Sequence, residues 1–112
     1  SDVTKALSIG MADGTCRVVV PQNSKIPVEE TTIVYNNIEA DCIRVNLWQG
    51  DALMADSNEF IGTLLYKYGR VVPPGEGEVI VTIRIDPDGT IHFSCKELLH
   101  DPVEVVLERV GR

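Results

Sequence analysis

Few side chains in this sequence are of the kinds that do covalent chemistry, and their spacing does not assemble them. Only two histidines occur, His92 and His100. His92 falls on the polar phase of an alternating stretch, and His100 lies among turn residues. Neither has a motif neighbour that suggests a triad, so both read as solvated or hydrogen-bonded histidines. Cys16, Cys42 and Cys95 are widely separated and form no C-x-x-C or Cys/His cluster, which leaves a zinc site unsupported. They read as small core residues with free thiols, which suits a reducing compartment, the cytoplasm; one disulfide plus a spare thiol is the other arrangement. There is no G-x-S-x-G, no Walker loop and no G-x-G-x-x-G, and Gly75 and Gly77 are too few to cradle a phosphate. Asp86-Pro87-Asp88-Gly89-Thr90, with Glu97 further on, carries some acids of a calcium loop. Its glycine sits at the fourth loop position rather than the sixth, and its flanks read as strands. No catalytic and no metal-ligating residue is assigned. Trp48 and the Tyr66/Tyr68 pair have the rings to stack a ligand, although sheet packing uses such residues too.

The elements that would position these residues are strands. Ile43, Val45 and Leu47 alternate with Arg44 and Asn46 within the stretch from Cys42 to Trp48, and Thr31 to Tyr35 alternates in the same way. Val79, Val81, Ile83 and Ile85 alternate with Ile80, Thr82 and Arg84. Ile91, Phe93 and Cys95 then alternate with His92, Ser94 and Lys96 beyond the Asp86–Thr90 turn, which predicts a hairpin. Further strands are expected at Cys16–Val20, ended by Pro21, at Phe60–Tyr68 and at Val103–Leu107. Turn chemistry recurs at Asp13-Gly14, Asn36-Asn37, Asp56-Ser57-Asn58 and Pro73-Pro74-Gly75. No helical stripe exceeds two turns, so the class is all-β, a sandwich or barrel.

Length and composition agree. The 112 residues make one domain, and 44% hydrophobic with 24% charged residues describes a globular chain rather than a disordered one. No apolar run is long enough to span a bilayer, and Ser1-Asp2-Val3-Thr4-Lys5 lacks a signal-peptide pattern. The absence of an N-x-S/T sequon agrees with an intracellular setting. A net charge of −7 and a pI near 4.7 exclude non-specific nucleic-acid binding and favour cationic partners.

Four ordered segments carry a resemblance. Asp2-Val3-Thr4 with Leu7-Ser8-Ile9-Gly10 resembles the D-V-T-P-L-S-L-G opening of the substrate-binding domain in DnaK-type, seventy-kilodalton heat-shock chaperones. Asn23-Ser24-Lys25-Ile26-Pro27 is similar to that family's N-T-T-I-P. Gln49-Gly50, then Ala55-Asp56-Ser57-Asn58 and Ile61-Gly62, resembles its Q-G-E…A-x-D-N…L-G. The run from Ile85 to Lys96 resembles its D-I-D-A-D-G-I-L-H-V-S-A-K signature.

The resemblance implies a two-layer antiparallel β-sandwich of about eight strands, with no helical lid in this chain. Loops at one end would form a channel that holds an extended segment of unfolded polypeptide. Main-chain hydrogen bonds are indifferent to sequence, while one aliphatic pocket selects residues that folded proteins hide. Carried over by position, the pocket and channel involve Met11, Val34, Ile43, Val45 and Val79. Tyr35, Asn37, Ala40 and Cys42 would lie on its rim or walls. One buried aliphatic side chain at roughly 2–3 kcal/mol and several hydrogen bonds at about 1 each imply roughly micromolar affinity after ordering costs.

The family also carries a nucleotide-binding domain before this region and a lid after it. The chain is therefore expected to be one domain, 1–112, excised from a longer chaperone of the stress response, with Ser1 an expression remnant. ATP would be a cofactor of the parent protein and not of this chain, which on its own is not expected to be an enzyme. Three departures stand out. Lys5-Ala6 replaces a single proline, and the Met11–Thr15 loop is about two residues short of one that usually supplies a methionine to an arch over the peptide. Pro74 stands where the family has an arginine that latches the lid. Asn37, with Ile38 beside it, would form the other half of the arch. These departures motivate a second reading, an interaction or assembly domain that has lost general peptide capture. An exposed groove also admits a neighbouring chain's tail, hence self-association.

Overall fold

The alternating apolar residues become the inner faces of strands. In the computed structural model, which describes residues 2–108, the order is β1 (Leu7–Gly10), β2 (Cys16–Val20), β3 (Val28–Val34), β4 (Ala40–Gln49), β5 (Glu59–Val72), β6 (Val79–Ile85), β7 (Ile91–Lys96) and β8 (Val103–Leu107). A 3₁₀ turn at Ala55–Ser57 lies between β4 and β5. The strands form two four-stranded antiparallel sheets, ordered β2-β1-β4-β5 and β3-β6-β7-β8. Val79, Val81, Ile83 and Ile85 of β6 and Ile91, Phe93 and Cys95 of β7 are all buried. They merge with Leu7, Ile9, Val45, Leu47, Leu64 and Tyr66 of the other sheet into one core. The architecture is the expected all-β sandwich.

Turn chemistry closes the β6–β7 hairpin. Asp86 and Gly89 donate main-chain N–H groups to Thr90 O and Asp86 O, both at 2.9 Å. The Asp88 carboxylate accepts from the Thr90 N–H at 2.9 Å, and Gly89 takes the positive φ of 90° that glycine tolerates. The Asp86 carboxylate pairs with Arg84 and His92. The acids that resembled a calcium loop are thus occupied in shaping the turn.

Three strands differ in extent from the sequence expectation, and β4 does so by running Ala40–Gln49, beyond both ends of the Cys42 to Trp48 stretch. β3 begins at Val28 and stops at Val34, releasing Tyr35. Asn36 is captured by the β5–β6 connection, donating its N–H to Glu76 O at 3.2 Å and accepting from the Gly75 N–H at 2.7 Å. β5 runs on to Val72 through Gly69, whose φ of 74° accompanies the register slip opposite Ala40 and Cys42.

Polar clasps flank the core. Arg70 makes a two-toothed ion pair with Glu97, Nη2–Oε2 at 2.7 Å and Nη1–Oε1 at 3.2 Å, and the Tyr66 hydroxyl donates to Glu97 Oε1 at 3.1 Å. The Arg70 hydrogen bonds hold the Glu97 carboxyl below its usual range. On the outer face of the second sheet, His92 Nε2 lies 2.7 Å from Asp86 Oδ2, and Nδ1 lies 3.0 Å from Glu104 Oε1. Hydrogen bonds donated to Glu104 and then to Asp86 raise the His92 pKa, because only the imidazolium can donate to both acids at once. The three cysteines are free, and burial pushes the Cys95 thiol up to about 11.

Phe93 is fully buried at the centre of the core. Phe93→Ala should therefore cost about 3–5 kcal/mol, read as a lowered midpoint in urea unfolding at unchanged slope. The two clasps also set a pH window. The contribution of Glu97, depressed in the fold, is full above about 4.5 and lost as pH falls through its lowered pKa. That of His92, raised in the fold, is full below about 6.5 and lost as pH rises through its folded value. Thermal melts should be highest between these limits, and His92→Gln should flatten the decline on the alkaline side.

Candidate functional site

The two strands of the first sheet that meet at its centre are of unequal length, and this creates an opening. β1 pairs with β4 only from Leu7↔Gln49 to Ile9↔Leu47, whereas β4 continues to Ala40. From Asn46 to Ala40, β4 is paired on its β5 side alone, and no turn or loop main-chain bond reaches this stretch among the described residues. An antiparallel strand presents N–H and C=O groups on both edges, so this half of β4 carries a free edge within the sheet.

A hollow of about 470 Å³ opens there, bounded by the end of β1, the end of β3 and β4. Met11, Val34, Tyr35, Asn37, Ile43 and Val45 line it together. Val34 and Val45 also belong to the buried core, while Met11 and Ile43 pack against it, so the floor is core and the walls are partly exposed. Gly10, Ala12, Arg17, Ile33, Arg44, Asn46, Trp48 and Ala55 complete the lining.

Three residues expected at this site lie elsewhere. Val79 is fully buried, cross-strand from Val34, and sits in the core rather than on the hollow. Cys42 pairs with Lys67 beyond a register slip. It lines a second hollow with Asp41, Leu65, Lys67, Gly69, Arg70 and Val71. Ala40, opposite Val72 at the far end of β4, lines neither. Cys42 and Ile43 are adjacent on one strand and so point to opposite faces, while the extra β5 residues between Lys67 and Val72 set Ala40 beyond the regular pairing.

The sequence reading did not single out Arg17, Ile33, Arg44 or Asn46. Arg44 and Asn46 were visible as the polar phase of β4, but only the free edge makes that phase part of a site. Trp48 packs edge-to-face on Phe60 with ring centres 5.3 Å apart and lies across Gly10, where a Cβ would come within 3.1 Å of its Nε1. Tyr66 and Tyr68 are buried, edge-to-face at 5.6 Å, and stack no ligand.

The rims are fixed by short loops. Met11 and Thr15 close the β1–β2 turn, with Met11 N–H to Thr15 O at 2.8 Å and Gly14 N–H to Met11 O at 2.9 Å. The Thr15 hydroxyl and N–H both donate to Asp13 Oδ1, at 2.7 and 3.0 Å, which lowers the Asp13 pKa. Cys16 N–H to Leu53 O and Ala55 N–H to Gly14 O tie this turn to the segment after β4. On the other rim, the Tyr35 hydroxyl donates to Glu78 at 3.1 Å, and the buried Asn36 amide donates to Ile38 O. Among the described residues no hydrogen bond joins the 11–15 turn to the 36–39 loop across the hollow.

Asn58 holds the segment between β4 and the hollow. Its Oδ1 accepts from the Ala52 N–H at 3.0 Å, and its Nδ2 donates to Ala52 O at 2.9 Å. Gly50 makes room for it: a Cβ there would stand 2.2 Å from Asn58 Oδ1, at a φ of 144°. The Q-G and D-S-N residues of the sequence are thus loop supports.

Comparison with known proteins gives one family. The Hsp70 protein family matches residues 1–108. The chaperone protein DnaK of Thermotoga petrophila is 31% identical over 99 residues, covering 87% of this chain and 17% of that protein. The chaperone protein dnaK1 of Prochlorococcus marinus is 31% identical over 101 residues, covering 87% and 15%. The mitochondrial iron-sulfur cluster biogenesis chaperone of Saccharomyces cerevisiae is 30% identical over 98 residues, covering 86% and 15%. The chain therefore spans less than a fifth of the length of these relatives.

Asn58→Ala should lower stability by about 1–3 kcal/mol, because it leaves the Ala52 main-chain groups unpaired. Gly50→Ala should be at least as harmful, since it collides with the same side chain. Denaturant unfolding of both variants checks this.

Proposed function

Because the chain belongs to the Hsp70 protein family, we propose that it is the module that captures extended, unfolded polypeptide in the hollow beside β4. The observation that carries this reading is the coincidence of a free strand edge with an apolar hollow. A captured segment would add as a strand to residues 40–46, exchanging main-chain hydrogen bonds that any sequence can make. One large aliphatic side chain would drop between Ile43, Val45, Met11 and Tyr35. Burying it contributes about 2–3 kcal/mol, and the main-chain bonds about 1 each, which suits micromolar affinity.

No hydrogen bond ties the two rims together among the described residues, so none has to break for a bound segment to leave. Exchange should be fast, and affinity set by the anchor and the strand edge alone. The second reading, one fixed partner in place of general capture, is favoured by the same closed 11–15 turn. It differs in admitting only one sequence.

ATP binding and hydrolysis would belong to stretches of a parent chaperone outside the matched region, together with a lid. A role in the stress response follows from the same reading. The cytoplasm is the compartment we assign, on the three free thiols. No helix among the described residues is long and apolar enough to cross a membrane.

Val34 belongs to the core, so a charge there would test the fold and not the binding. Ile43 and the half-exposed Tyr35 are the informative positions. Ile43→Asp should weaken binding of a Leu-centred, unstructured peptide by at least about tenfold, because a carboxylate replaces the apolar contact. Tyr35→Ala should weaken it less, and both variants should keep a cooperative melt. Fluorescence anisotropy with a varied peptide set is the measurement. A folded wild-type chain that binds none of the set overturns the capture reading, and binding of a single sequence favours the fixed-partner reading.

A further inference from the structure

The charge of the hollow is opposite to that of the chain. The protein carries 17 acidic and 10 basic residues, for a net charge of −7, which taken alone favours cationic ligands. Yet among the described residues no Asp or Glu lines the hollow, whereas Arg17 and Arg44 both do. Neither arginine has a carboxylate partner among the described residues; the ion pairs all lie elsewhere. Arg17 Nη1 donates to Ile33 O at 2.8 Å and to Thr32 Oγ1 at 3.2 Å, so the guanidinium is held across the gap between β2 and β3 with its charge intact. Arg44 Nη1 reaches only the neutral Thr63 hydroxyl at 3.2 Å. Glu78 accepts from Tyr35 on the rim but does not line the hollow.

Strand geometry turns this into a selection rule. Along β4, Ile43 and Val45 face the core, and Arg44 between them faces the other way. A segment added at the free edge alternates in step. When its anchor side chain enters beside Ile43 and Val45, the residues immediately before and after the anchor stand on the Arg44 face. We propose that the hollow selects extended segments in which a large aliphatic residue is flanked by Asp or Glu, with Arg44 as the specificity-determining residue and Arg17 as a second fixed positive charge. This rests on the peptide-capture reading above. At physiological salt, fields are screened beyond about 8 Å, so a carboxylate in contact with Arg44 is governed by that pair rather than by the distant net charge.

The test uses the whole chain and labelled short peptides with X-Leu-X at the centre, where X is Glu, Gln or Lys, in 150 mM salt. The Glu peptide should bind about threefold to fivefold tighter than the Gln peptide, the scale of an opposite-charge cross-strand pair, and the Lys peptide weaker than both. Arg44→Gln should shrink these differences to the residue left by Arg17, and Arg44→Glu should reverse the order. Arg44 is exposed, so neither variant threatens the core. If the Gln peptide binds but the Lys peptide equals or exceeds the Glu peptide, or the order survives Arg44→Glu, the charge selection is overturned and capture stands. If none of the three binds, capture itself fails and the selection falls with it.

Discussion

The site depends on an interrupted strand pairing. β1 supplies only four residues and turns away at Gly10, while β4 runs the length of the sheet. Main-chain N–H and C=O groups are obligatory hydrogen-bonding groups, and a free edge inside a sheet must be met by water, by another strand or by a ligand. At the outer edge of a sandwich, proteins blunt such exposure with charges or prolines. Here the edge instead opens onto a hollow whose floor, Val34 and Val45, is continuous with the core. The backbone thus offers generic bonding at the same place where packing offers an apolar socket, and neither feature alone would hold a chain segment.

Keeping that opening from collapsing is the task of residues well outside it. The Met11–Thr15 turn is held shut by Asp13 and anchored to Leu53 and Ala55. Asn58, admitted by the bare Cα of Gly50, fixes the segment that carries Ala55 to the hollow. At the opposite bank, Asn36 is locked to Gly75 and Glu76, and the Tyr68 hydroxyl donates to Gly77 O at 2.7 Å where any side chain on Gly77 would clash. Each device satisfies loop main-chain groups that would otherwise draw the rims together or into the hollow.

How far the residues disclosed this depends on which physical signal each element carries. β6, β7, β8 and β2 could be bounded to the residue, because each β-rich run met a proline, glycine or aspartate close to at least one end. β1 is too short for a period to show and was legible only through the resemblance. β3 was misjudged at both ends. Glu29 and Glu30 are polar on a solvent-facing edge strand, and Tyr35 is pulled out of the sheet by an asparagine whose partners lie some forty residues on. For the site, Met11, Val34, Tyr35, Asn37, Ile43 and Val45 line one hollow. Val79, Cys42 and Ala40 do not: the depth of Val79 and the register slip at Ala40 are tertiary facts, while Cys42 alternates with Ile43. The arginines were invisible for a different reason. A cation on the outer phase of a strand reads as solvated until it is known which half of that strand has no neighbour.

The same geometry bears on what an acidic chain gains from basic residues at one spot. An acidic surface keeps the chain soluble and repels its own copies, which matters for a domain with an unpaired strand edge, since the commonest unwanted occupant of such an edge is another identical chain. Net repulsion of like charge acts at a distance and disfavours self-pairing. Arg44 acts in contact and rewards a segment that brings a carboxylate to it. The two effects operate at different ranges, separated by a screening length of about 8 Å, and so do not cancel. Selection among incoming segments is then settled by the alternation of the added strand, whose inward side chain reads the socket while its outward neighbours read Arg44.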